Sequence, residues 1–153
     1  MRTRLALSLS AALLCAGCGG PQPPPFKPVA DVKQLMLGAI DPNADVIWEA
    51  TGTIISKTGV ENRQPRNQEE WEAVRNSAIV LTEAGNLLMM APRARDGDLW
   101  MKRSQEMIDT GLAAWKAAEA RNVDLLFTVG GDLYEACSRC HQDYVDAIKN
   151  AGQ

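Results

Sequence analysis

The sequence predicts an all-α fold, an antiparallel up-down four-helix bundle. Three observations carry that expectation. Ala, Leu, Glu, Lys, Gln and Met are frequent and β-branched residues few, which favours helix. Apolar residues recur at helical spacing in four stretches beyond residue 28. Short connections join those stretches, so consecutive helices should lie side by side in opposite directions. The 153 residues are enough for one domain with a sizeable core.

Residues 1–17 read as an export signal. Arg2 and Arg4 precede an apolar run, Leu5 to Leu14, which is too short for a permanent membrane span. The run ends Leu14-Cys15-Ala16-Gly17-Cys18. Small residues before a cysteine resemble the lipobox of bacterial lipoproteins. That resemblance implies lipidation of Cys18, which becomes the new N-terminus, and Gly19 after it resembles sorting to the outer membrane. Cys15 stands where a lipobox carries an aliphatic residue, so plain cleavage to a soluble exported product is the alternative. Lipidation of Cys15 itself is disfavoured by bulky Leu14. Residues 18–28, with GGPQPPPFKP from Gly19 to Pro28, form a stiff polyproline tether, and residues 29–153 form the domain. Removing Arg2 and Arg4 leaves 14 basic against 19 acidic residues. A mildly acidic surface gives no support for nucleic-acid binding; it suits a basic docking partner, although a solvated acidic surface is the more common meaning.

The first helix is expected from about Val29 to Ile40, with Val32, Leu35, Met36 and Ile40 on one face. Asp41-Pro42 should kink or briefly break it before a second piece ending near Ala50. Thr51 to Asn67 is mixed: Thr53-Ile54-Ile55 is a short strand or a helical end, and Lys57 to Arg66 reads as a surface loop. The second helix should start near Asn67, with Glu69 and Glu70 in its first turn, and stop before Pro92. Its seam is Trp71, Val74, Ala78, Leu81, Gly85 and Leu88. Arg93 to Gly97 is a basic turn. The third helix runs from about Asp98 to Asn122, with Met101, Ile108, Leu112, Trp115 and Ala118/Glu119 marking its periodicity and Trp100 on its flank. The fourth should span about Val123 to Asn150 with Leu126, Gly130, Leu133, Cys137, Cys140, Tyr144 and Ile148 on its inner face. Gly130-Gly131 costs on the order of 1 kcal/mol per glycine inside a helix, so close packing or a local break is expected there.

The chemistry sits at Cys137-Ser138-Arg139-Cys140-His141. C-x-x-C-H is the attachment signature for a c-type haem. Two thiols one helical turn apart can add to two vinyl groups on one side of a porphyrin, and the next imidazole reaches the iron. His141 falls at i+4 from Cys137, so all three share a face. A bare C-x-x-C would also suit zinc or a thioredoxin-type site. Here His141 is the only histidine, and the only other cysteines are Cys15 and Cys18. No βαβ pattern surrounds the motif. A structural disulfide, or two free thiols beside a surface histidine, is the bland alternative.

A helical chain with this motif near its C-terminus resembles the cytochrome c′ and cytochrome c-556 family, the class II c-type cytochromes. Class I cytochromes c place the motif near the N-terminus. The resemblance covers roughly Val29 to Asn150. It implies one haem c held through Cys137 and Cys140, with His141 as proximal iron ligand. It also implies that the distal residue comes from the first helix, where Met36 occupies the expected place. Level along the helices agrees: Met36 is about seven residues from its helix start and His141 about nine from its helix end, equal to within one turn at ~1.5 Å per residue. Met89, Met90 and Met101 lie at the same end. The family carries an arginine four residues before the distal position, where this chain has Val32. Lys33, Arg93, Arg95 and Arg139 are candidates to neutralise haem propionates, or else solvated surface charges.

Two functions are open. With His141 and Met36 both on iron, the chain is a single-electron carrier in the periplasm or at the outer membrane, serving redox partner proteins. With His141 alone, it binds or scavenges small gases such as nitric oxide or carbon monoxide. An enzyme is not expected, since no second histidine is there for acid–base work at the haem. Exposed seam residues of helices one and two could pair with a second copy as a homodimer.

Overall fold

The computed structural model describes residues 25–146. Cys18, the export segment, most of the tether and Ile148 lie outside the described residues. The chain is mostly helical. Four helices carry the architecture: α1, α2 (Gln68–Met89), α3 (Leu99–Glu119) and α4 (Val123–His141). Helix α1 has three parts, Val32–Leu35, a π-helical turn Met36–Ile40, and Asp41–Ala50. A π-helical turn, Gln142–Asp146, extends α4.

Local chemistry sets the helix starts. Asp31 and Gln34 form a capping box that delays α1 to Val32, later than the apolar pattern alone suggests. Asn67 caps α2 by accepting the Glu70 N–H at 2.9 Å, and Glu70 reaches back to the Arg66 N–H at 2.6 Å. Asn122 caps α4 through the Leu125 N–H at 3.0 Å. The expected kink at Pro42 appears as the π turn. The Asp41 N–H bonds back to the Met36 carbonyl, five residues earlier, and the helix continues through the proline without a break.

The stretch after α1 departs from expectation. Strands β1 (Gly52–Ser56) and β2 (Gly59–Arg63) pair as an antiparallel hairpin, Ile54 opposite Glu61 and Ile55 opposite Val60. Lys57 to Arg66 is therefore not simply a loop. The Lys57-Thr58 corner leads into Gly59 at φ 141°, which favours glycine. Ser56 and Thr58 hydroxyls close the corner at 2.8 Å. Ile55 and Val60 remain 80% and 67% exposed.

Each helix packs beside the next, and α4 returns to α1. Neighbours run in opposite directions. The Trp100 indole donates to the Leu88 carbonyl at 2.8 Å, and further along Gly111 abuts Thr82. Arg103 pairs with Asp143 at 2.7 Å and Glu106 with Arg139 at 3.4 Å. Ile47, Leu81, Leu126 and Leu133 are the largest fully buried side chains; each contributes about 1.5–3 kcal/mol by burial.

The α2 seam is buried as expected. The α3 seam is not the expected one. Trp100, Ser104, Met107, Gly111, Ala114, Ala117 and Ala118 are buried, while Met101, Ile108, Leu112 and Trp115 are half-buried. Small residues won the inner face because α2 and α3 approach too closely for larger ones. A Cβ at Gly111 would lie 2.8 Å from Thr82 Oγ1 and 3.0 Å from its main-chain nitrogen, and one at Gly85 would collide with Ile108. Helix α4 runs unbroken through Gly130-Gly131. No described helix is long and apolar enough to cross a membrane.

Candidate functional site

The last turn of α4 presents Cys137 and Cys140 half-buried and His141 exposed as its final residue. Both thiols are free. Burial pushes the Cys137 thiol up to about 11, helped by negative charge at Cys140 and Asp41. Burial likewise raises Cys140, with Asp143 adding to the effect and Arg103 opposing it. Neutral thiols in an apolar setting are the opposite of the low-pKa thiolate that disulfide exchange requires.

Two cavities meet this turn. One, about 410 Å³, lies among α1, α3 and α4 and is bounded by Met36, Ile40, Trp48, Met107, Cys137, Cys140 and His141. The other, about 640 Å³, is bounded by Val32, Met36, Trp100, Cys140, His141 and Tyr144. Met36, Cys140 and His141 border both. Residues a hundred positions apart thus converge because the start of α1 lies beside the end of α4.

The outer wall is fastened by polar contacts. The Tyr144 hydroxyl donates to Asp96, and its ring meets Trp100 edge-on with centroids 4.9 Å apart. Burial, then the Asp96 carboxylate, pushes Tyr144 up to about 12. The same hydrogen bond, with the Trp100 N–H, holds Asp96 below the usual carboxylate range. Arg103 spans Glu106 at 2.9 Å and Asp143 at 2.7 Å, tying α3 to the turn after His141.

The expected basic residues divide. Lys33 is exposed near the larger cavity, and Arg95 borders it too, where each could meet a carboxylate. Arg93 is neither a solvated charge nor at a cavity. It is 7% exposed, and its guanidinium donates to the Ala30 carbonyl at 2.9 Å and the Leu87 carbonyl at 3.1 Å. Arg93 therefore fastens the start of α1 to the end of α2. Arg139 is engaged with Glu106 and Glu135. Among the other methionines, Met89, Met90 and Met101 border neither cavity, whereas Met107 borders the smaller one.

Sequence reasoning missed Met107, Arg103, Trp48 and Tyr134 as cavity residues. Met107 had a signal, since Trp100, Ser104, Met107 and Gly111 follow a 4-3-4 spacing. Trp48 and Tyr134 had none, because their meeting depends on the α1–α4 crossing. The Trp48 indole donates to the Gly130 carbonyl at 3.0 Å. Its ring stands edge-on to Tyr134 at 5.8 Å.

Among the described residues, no group of three or more His, Cys, Asp or Glu could hold a bare metal ion. An iron carried in a macrocycle needs few protein donors. The donor set fits that arrangement: two neutral thiols one turn apart, one imidazole beside them, a thioether from another helix, and apolar walls around them. Comparison of the chain with protein-family models, with curated proteins and with solved structures finds no match.

Proposed function

We propose that this chain is a c-type cytochrome of the class II kind, an up-down four-helix bundle carrying one covalently attached haem c and serving as a single-electron carrier. The observation that carries the reading is the convergence of Met36 with Cys140 and His141 on both cavities, Cys137 joining them on the smaller one. Bound there, the haem iron supplies a one-electron couple between its ferric and ferrous states.

The residues have distinct tasks. The thiols of Cys137 and Cys140 would hold the haem covalently, each as a thioether to one of its vinyl groups, a linkage that needs no oxidant. His141 would hold the iron through its imidazole nitrogen. Met36 would add its thioether as a second iron ligand, and a methionine ligand raises the potential. Leu88, Trp100 and Met107, all buried, exclude water from the cavity walls. Lys33 and Arg95 are placed to meet the propionate carboxylates. Redox partner proteins follow from this role; catalysis and nucleic-acid binding do not. The export segment and Cys18 support a periplasmic location with lipid anchoring at the outer membrane.

A visible spectrum and an intact mass of protein exported by a cytochrome-maturing host test the reading. Expected are a mass raised by one haem and a low-spin oxidised spectrum with a weak red-edge methionine–iron band. That band should vanish in Met36→Ala, and covalent haem should vanish in the Cys137→Ser/Cys140→Ser double variant. Colourless protein would sink the proposal. A high-spin spectrum with ready carbon monoxide binding would replace the carrier with the gas-binding protein.

A further inference from the structure

We propose that the groove between α1 and α4 is the docking surface for a basic redox protein; this rests on the electron-carrier reading and names its partner by chemistry. A recess of about 360 Å³ lies there, bounded by Ile47, Trp48, Phe127, Gly131, Tyr134 and Glu135. Phe127, Gly131 and Tyr134 stand at i, i+4 and i+7 and so share one face of α4. Phe127 is 62% and Tyr134 57% exposed. A Cβ at Gly131 would meet nothing within 4 Å, so the floor between the two rings is open. Trp48 is fixed by its bond to the Gly130 carbonyl at 3.0 Å. A fixed indole and two exposed rings around an open floor are what interface anchors are built from.

Charge decides the occupant. Asp41 and Asp45 stand one turn apart on α1 and Glu135 lies on α4, all three exposed; Glu49 and Asp124 are exposed too but border neighbouring recesses that Arg63 also lines. No lysine or arginine occurs in Asp41–Ala50 or from Val123 to Ser138. Among the described residues, Asp41, Asp45, Glu49 and Asp124 have no ion-pair partner, and Glu135 has only Arg139 at 3.9 Å. A second copy of this chain would set acid against acid, and an anionic lipid surface would be repelled as well. A lysine-rich protein surface is complementary, and such a field also speeds encounter. The location suits the purpose. Trp48 and Tyr134 border both this recess and the cavity holding Met36, Cys137 and His141, so a partner seated here lies one aromatic layer from the redox site.

The test uses the haem-loaded full chain, with a lysine-ringed class I cytochrome c as basic probe and an acidic ferredoxin as control. Binding is followed by NMR titration at low and high salt, and electron exchange by stopped flow. The basic probe should bind in a salt-sensitive way and the acidic one should not. Asp45→Lys/Glu135→Lys should weaken binding about tenfold, and Phe127→Ser about threefold, with unchanged spectra and helicity. The docking surface is overturned if the probes bind alike or charge reversal changes nothing. It is equally overturned if the chain sediments as a dimer that Phe127→Ser dissociates. Charge-dependent binding without electron exchange would uphold the surface and overturn the electron-carrier reading instead.

Discussion

Helices α2 and α3 meet along most of their length, whereas α1 and α4 meet over a short stretch with three cavities along their edge. Glycine shows the difference. At Gly85 and Gly111 the neighbouring helix occupies the space a Cβ would need, while at Gly38 and Gly131 nothing lies within 4 Å. In the first pair glycine permits close contact of backbones; in the second it leaves room unfilled. One helix pair therefore supplies cohesion and the other supplies space. A planar group with a residue on each side fits only between helices that stand apart.

The largest expected effect that would break this contrast is Leu81→Ala, on a fully buried α2 residue. It should cost about 3–4 kcal/mol by urea unfolding. Next is Gly111→Ala. Both the hydroxyl and the main-chain nitrogen of Thr82 lie in the way, so a loss of about 2 kcal/mol is expected. The matched change on the other side, Gly130→Ala, meets Trp48 only at 3.8 Å and should be tolerated.

A smaller, pH-dependent effect belongs to the ties around the site. Burial works to raise the Glu106 carboxyl, yet Arg103 first and Arg139 second hold it below its usual value of 4.5. A carboxylate depressed by folding stabilises above its unfolded pKa and loses that contribution as pH falls through the folded value. Glu106→Gln should therefore cost about 1 kcal/mol near neutrality and nothing in acid below that lowered value. Thermal unfolding of both proteins across pH 2–7 measures it; a cost that persists in acid would place the effect in packing instead. The smallest change is a gain. Gly131→Ala, at an open helical position, should raise stability by about 0.5–1 kcal/mol.

Legibility in the sequence followed how local each signal was. The α2 seam could be read because Trp71, Val74, Leu81 and Leu88 keep one helical spacing, and all of them are buried. The α3 seam was displaced by one position, since the larger apolar residues, Met101, Ile108 and Leu112, mimic an inner face. The true one is lined by Ser104, Gly111 and Ala114, chosen for closeness rather than apolar bulk. The hairpin was half legible: Thr53-Ile54-Ile55 suggested a strand, but the charges in β2 hid its partner. The motif on α4 was fully local and therefore plain. The convergence of Met36 with it could be placed by level along the helices, but Trp48, Tyr134 and the engagement of Arg93 with Ala30 and Leu87 depend on tertiary contacts no spacing encodes.

The π turn at Met36–Ile40 closes its backbone bond five residues back, from Asp41 to Met36, and Asn43 Nδ2 occupies the Ala39 carbonyl at 2.7 Å. Such a turn works as a phase shift: everything upstream is rotated by about 100° relative to an uninterrupted helix. Removing a single position, such as Gly38, would restore ordinary winding and turn Met36 away from the cavities it borders together with His141. The length of that one turn, more than the identity of any side chain in it, keeps the two ends of the sequence in step.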